Sequence, residues 1–193
     1  MSITGVILAG GLARRMGGTD KGLIPFAGKP MVAHVLERLA PQVDEILINA
    51  NREIDQYATY GYPVIPDEIE GFAGPLAGLH RGMSMANHPF VLIVPCDSPF
   101  LPADLASRLM QALQQADADL AVAKTGTQAH PVFCLCRTSL KNHLQSYLQS
   151  GGRKIDAWYG TLKVVEVAFD DQPQAFANIN TLEELESLQD QNR

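Results

Sequence analysis

The chain has 193 residues, of which 46% are apolar and 19% charged, with a formal net charge of −6. That length suits one domain, able to bury about 70% of its unfolded surface without disulfides or structural metals. The apolar content excludes intrinsic disorder, and the acidity argues against long nucleic acids and anionic membranes as partners.

The predicted elements alternate. Ile3–Leu8 (ITGVIL) is short, apolar and β-branched, and reads as a buried strand feeding a glycine-rich loop over residues 10–24. Pro30 suits the first turn of a helix in which Met31, Val35, Leu36 and Leu39 recur at helical spacing. Glu45–Asn49 is the next strand, followed by a short helical piece over 54–60 and an extended Pro63-Val64-Ile65. A small-residue helix over 75–86 leads to FVLIV over 90–94, the most apolar strand in the chain. A helix over 102–116 follows, then strands at 120–123 and 132–136 flanking a polar loop, an amphipathic helix over 140–148 and a late strand over 164–168. The last helix is predicted over 181–188, with Thr181 and Glu184 as a capping box. Strand–helix alternation through about residue 136 predicts an α/β fold: a Rossmann-like, mostly parallel central sheet with helices on both faces, forming a single domain over 1–193.

Charge is unevenly placed. Residues 1–30 carry Arg14, Arg15, Lys21 and Lys29 against Asp20 alone, while residues 166–193 carry seven acids against Arg193 alone. The three cysteines, Cys96, Cys134 and Cys136, are few and odd in number, which suits a reducing cytoplasm. Cys134 and Cys136 would share one face of a strand as small buried hydrophobes, since no second Cys or His pair stands at zinc-site spacing. No apolar run approaches the length of a membrane span, and the start of the chain lacks the marks of a signal peptide.

In such sheets ligands sit beyond the carboxyl ends of the strands, and two places there are unusual. The first is Leu8-Ala9-Gly10-Gly11-Leu12-Ala13-Arg14-Arg15-Met16-Gly17-Gly18-Thr19-Asp20-Lys21. Adjacent glycines let backbone amides converge on an anion, and three bases add full positive charges. It is neither a Walker A loop nor GxGxxG. A glycine-rich turn by itself can be purely structural, but the bases point to phosphate. The second is Pro95-Cys96-Asp97-Ser98-Pro99. A carboxylate ending a buried strand is costly unless paired or metal-bound, and phosphate chemistry needs a carboxylate for Mg²⁺; the plain alternative is a turn-forming aspartate.

The LAGG–ARRMGG–DK run resembles the opening signature of the molybdenum cofactor guanylyltransferases. The resemblance also takes in Asn49-Ala50-Asn51-Arg52, Pro75-Leu76-Ala77-Gly78, Pro95-Cys96-Asp97, His130-Pro131 and Asn178-Ile179-Asn180-Thr181. These motifs follow family order along nearly the whole chain. The basic glycine-rich signature alone would mark only the wide nucleotidyltransferase superfamily.

The resemblance implies a cytoplasmic nucleotidyltransferase that moves GMP from GTP to the phosphate of (molybdenum-loaded) molybdopterin, with Mg²⁺ as cofactor and pyrophosphate released. It implies that Leu8, Ala9, Gly10 and Gly11 line the nucleotide, that Arg15 and Lys21 hold phosphates, and that Asp97 binds the metal. Arg15, Lys21 and Asp97 are then the catalytic set. Asn49, Asp67 and Gly78 fall at nucleotide-contacting positions, and Asp67 could accept hydrogen bonds from guanine N1–H and N2–H₂. Gly10-Gly11 is the pairing associated with guanine users, where cytosine-using relatives tend to carry Ala-Gly. His130, Asn178 and Asn180 resemble the acceptor side, and amides can pair with pterin edges. The nucleotide would thus lie on the N-terminal half and the acceptor on the C-terminal half. A histidine before proline otherwise reads as a surface loop residue. Arg153 and Lys154 fit an acceptor phosphate or a solvated helix start equally.

Transient contacts with other proteins of molybdenum cofactor synthesis fit this reading; nucleic acid and membrane do not. Two other readings stand beside it: a molybdopterin cytidylyltransferase or sugar-phosphate nucleotidyltransferase, and a non-catalytic nucleotide carrier. The joint presence of Lys21 and Asp97 favours catalysis.

Overall fold

The computed structural model describes residues 1–9, 18–71, 74–177, 179, 184, 186, 187 and 190. Gly10, Gly11, Arg15, Asn178, Asn180 and the Thr181 cap lie outside the described residues.

The frame is a seven-stranded sheet. Its strands are β1 (Ile3–Leu8), β4 (Glu45–Asn49), β5 (Val64–Ile65), β6 (Phe90–Pro95), β7 (Leu120–Thr125), β8 (Gln128–Arg137) and β9 (Val164–Ala168), in the spatial order β5-β4-β1-β6-β8-β7-β9. The pairs β5/β4, β4/β1, β1/β6 and β7/β9 are parallel, and only β8 runs the other way, between β6 and β7. A two-residue connection joins β7 to β8, with Gly126 at φ 54°, the left-handed region that a tight hairpin turn demands. A separate two-stranded ribbon, β2 (Pro25–Phe26) and β3 (Lys29–Pro30), precedes the first helix.

The helices are α1 (Met31–Leu39), α2 (Ile54–Ala58), α3 (Pro75–Met85), α4 (Leu105–Gln115), α5 (Lys141–Gln149) and α6 (Ile155–Tyr159). Strand residues point alternately to the two faces, so one strand feeds two cores. Leu92 and Val94 of β6 pack with Val35 and Leu39 of α1 and Leu109 and Leu113 of α4. Val91 and Ile93 pack with Leu76 and Leu79 of α3, Leu144 and Leu148 of α5 and Trp158 of α6. Every residue of β6 is buried, as expected of a central strand covered on both sides. Cys134 and Cys136 are buried on the α3/α5 side, and all three cysteines are free.

Three local expectations change. The short ribbon β2/β3 lies where the sequence suggested only a loop and a helix start, and Pro30 caps α1 rather than opening it. α6 has five residues, too few to show a period; the burial of Trp158 holds it in place. His130 is not in a loop but in β8, beside a register shift where Ala123 pairs with His130 and Val122 with Cys134. Pro131 explains that bulge, because its nitrogen cannot donate to the ladder.

Candidate active site

The strand order reverses direction about β1: β4 and β5 are added on one side, β6 on the other. A crevice opens at such a switch point, outside the carboxyl ends of the strands. The ends themselves are knitted together by backbone bonds running past the strands. The Ala9 amide donates to Asn49 O (2.8 Å), the Ala50 amide to Ile65 O (3.2 Å) and the Cys96 amide to Leu8 O (3.1 Å). Leu8, Ala9, Asn49 and Asp97 therefore all stand at one edge of the sheet.

On the β6 side of the crevice, Asp97 follows the strand and is 9% exposed. The Lys21 ammonium lies 3.5 Å from Asp97 Oδ2. Burial pushes the Asp97 carboxyl above its ordinary range, and the nearby Lys21 charge offsets only part of this. A carboxylate held uncomfortably in its charged form has more to gain from a cation than an exposed one. Lys21 opens a 3-10 turn, Lys21–Leu23, from which its side chain reaches Asp97.

On the β4 side, Asn49 is 3% exposed. Its Nδ2 donates to Ile65 O (3.1 Å) and to Asp67 Oδ1 (2.8 Å). Asn51 completes the clasp: its Nδ2 donates to Asp67 Oδ2 (3.0 Å) and its Oδ1 accepts from the Asp67 amide (2.8 Å). Each oxygen of Asp67 thus accepts one amide hydrogen and keeps a lone pair for another donor. Gly78, in α3, backs this cluster so closely that a Cβ there would meet Leu8 Cδ2 at 2.6 Å and Asn49 Oδ1 closer still.

His130 stands at the start of β8, which, being antiparallel, begins at the sheet edge where β6 ends. Its ring stacks on Phe176 (centroids 4.7 Å apart, 10° between planes) and its Nε2 lies 2.7 Å from Thr125 Oγ1. Burial pushes its pKa down, which leaves a neutral ring at pH 7. Arg153 is engaged locally: its Nη1 donates to Leu148 O (2.8 Å) and Gly152 O (2.7 Å), at the end of α5.

The structure thus brings Leu8, Ala9, Lys21, Asn49, Asp67, Gly78 and Asp97 to one sheet edge. Sequence reasoning missed Asn51, although its motif was noted, because an Asn two residues past the strand-ending Asn49 reads as turn-forming until the clasp on Asp67 is seen. It also missed Asp20 and Tyr57. Asp20 is 6% exposed and accepts a hydrogen bond from the fully buried Tyr57 hydroxyl at 2.6 Å.

A switch-point crevice with a lysine–carboxylate pair, in a chain whose sequence after the first strand is basic and glycine-rich, fits the nucleotidyltransferase class. Residues 5–164 match the family model of the MobA-like NTP transferase domain. The molybdenum cofactor guanylyltransferase of Shewanella sp. (strain MR-4) is 50% identical, covering 97% of this chain and 95% of its own. That of Ralstonia nicotianae is 52% identical, over 96% of this chain and 95% of its own. The crystal structure of molybdopterin-guanine dinucleotide biosynthesis protein A from Archaeoglobus fulgidus shares the fold, with a TM-score of 0.82 at 23% identity over 98% of both chains. The chain belongs to the molybdenum cofactor guanylyltransferases, within the MobA-like NTP transferase family. No helix among its described residues is long and apolar enough to cross a membrane.

Proposed function

We propose that this chain transfers GMP from GTP to the terminal phosphate of molybdopterin, in a single domain whose N-terminal half holds the nucleotide and whose C-terminal half holds the acceptor. An oxygen of the acceptor phosphate attacks the α-phosphorus of GTP. A new phosphoanhydride forms, the α–β bond breaks, and its electron pair leaves with pyrophosphate. The acceptor is already ionised, so no protein nucleophile is required; positioning and charge stabilisation suffice.

The Lys21–Asp97 pair carries this reading. The Lys21 ammonium balances charge developing on the leaving pyrophosphate, with Arg15 binding phosphate oxygens as a fork. Leu8, Ala9, Gly10 and Gly11 line the nucleotide. Asp67, aimed by Asn49 and Asn51, accepts from guanine N1–H and N2–H₂, and Gly78 leaves room for that arrangement.

Nucleotidyltransferases generally use a divalent metal, and Asp97 suits Mg²⁺. It is one hard, buried oxygen donor, and no group of three or more His, Cys, Asp or Glu forms a metal cage among the described residues. Mg²⁺ takes one or two carboxylates and completes its shell with phosphate oxygens and water. When bound, the ion supplies Lewis-acid polarisation and a template for the phosphates. His130, Asn178 and Asn180 hold the pterin end of the acceptor.

The test is incubation of the full chain with molybdopterin, Mg²⁺ and each NTP in turn, reading pyrophosphate release and dinucleotide formation. GTP is expected to support both. Preference for CTP would overturn the guanylyl assignment.

A further inference from the structure

We propose that Asp20 and Tyr57 are positioning residues for Lys21, and that their buried hydrogen bond fixes where the lysine ammonium sits over the crevice. The proposal rests on the reading above, in which Lys21 acts on the leaving pyrophosphate. Both neighbours of Lys21 are clamped. On one side, the Asp20 carboxylate is held by the Tyr57 hydroxyl at 2.6 Å. On the other, Gly22 is pressed against the same tyrosine: a Cβ on Gly22 would lie 2.7 Å from the Tyr57 hydroxyl and 3.1 Å from Cys96 Cβ. Cys96 immediately precedes Asp97, so the clamp ties the Lys21 turn to the group that the lysine must face.

Neither clamp residue is explained by packing alone. Asp20 is 6% exposed, and a carboxylate is an expensive way to fill a buried space. Tyr57 is fully buried, so its hydroxyl needs a partner, and a phenylalanine would fill the same volume without that demand. A turn of three residues has little stiffness of its own. A long lysine on it reaches many positions unless the backbone is held. Tyr57 also sits on α2, which leaves β4 through Asn51. One short segment, residues 49–57, therefore carries the clasp on Asp67 at one end and the anchor of the Lys21 turn at the other.

The test is the kinetics of Tyr57→Phe, which keeps the ring and removes only the hydroxyl. The expected result is a fall of about 10-fold in kcat for pyrophosphate release with KM for GTP within about 2-fold, since misplacing a group by about 1 Å can cost up to about 100-fold. In a Lys21→Ala background the same substitution is expected to change kcat by less than about 2-fold, because residues acting through one group are not additive. Asp20→Ala should match Tyr57→Phe, whereas Asp20→Asn, which still offers an acceptor oxygen, should recover most of the rate. If Tyr57→Phe does not fold, the Asp20→Ala and Asp20→Asn pair carries the same comparison. An unchanged kcat in Tyr57→Phe, or a full further 10-fold loss on top of Lys21→Ala, overturns the proposal while leaving the role of Lys21 intact. An unchanged kcat in Lys21→Ala alone overturns the role of Lys21, and this proposal with it.

Discussion

Gly78→Ala probes the nucleotide side of the crevice through a single methyl group. In an ordinary helix this exchange would stabilise by up to about 1 kcal/mol. Here the new Cβ would lie 2.6 Å from Leu8 Cδ2 and collide with Asn49 Oδ1. Leu8 is half-buried and can shift, but Asn49 cannot move freely. It is 3% exposed and tied through Nδ2 to Ile65 O and Asp67 Oδ1. Overpacking costs about 1–3 kcal/mol, and each hydrogen bond broken adds about 1 kcal/mol. After the helix gain is subtracted, loss of both bonds makes the net destabilisation about 2–4 kcal/mol, a fall of about 4–16 °C in Tm for a chain this long. Displacing Asn49 also turns Asp67, so KM for GTP should rise about 10-fold, equivalent to about 1.4 kcal/mol of binding. Gly82→Ala supplies the matched control on the same helix. Its Cβ would meet Val6 Cγ2 at 2.8 Å, in the core and away from Asn49. It should lower Tm comparably and leave KM within about 2-fold. Differential scanning calorimetry and GTP titrations of both variants decide the matter. A Tm for Gly78→Ala at or above the unsubstituted protein, or an equal rise in KM for Gly82→Ala, would refute the reasoning.

Two further outcomes follow from burial of ionisable groups. Asp97→Asn should abolish pyrophosphate release and yet, without nucleotide, raise the urea midpoint at pH 7. The unfolded aspartate ionises in its ordinary range while burial holds the folded one above it, so ionisation costs stability as pH rises. The gain should shrink as pH falls through the folded pKa and vanish below about 4, where the unfolded carboxyl also becomes protonated; a variant less stable than the parent at pH 7 contradicts this. His80 and His130 have the opposite sign. Burial lowers both folded pKa values, so the unfolded chain takes up protons first as pH falls below about 6.5, and stability drains away. A His80→Gln/His130→Gln variant should therefore lose less of its urea midpoint between pH 7 and 5 than the parent does, and an equal loss would show that neither ring matters.

Much of this molecule is legible in one dimension. The apolar run over 90–94 reads as a buried strand, which the structure extends to Phe90–Pro95, and strand–helix alternation implies parallel pairing with helices on both faces. Lys21 and Asp97 stand out because a base among glycines and an acid ending an apolar strand each contradict their surroundings. These are local signals, carried by period, burial and composition. What tertiary structure alone decided is which distant groups meet. The sequence does not tell that Asn51 clasps Asp67, 16 residues on, or that Tyr57 reaches back 37 residues to Asp20. Nor does it tell that Pro131 makes a bulge that holds His130 in a strand against Phe176. Such contacts depend on strand order and register, which arise from the joint packing of two cores around the sheet. No short window of sequence contains both partners, so a site's first contacts can be read from residue type while the groups that aim them are found only in the fold.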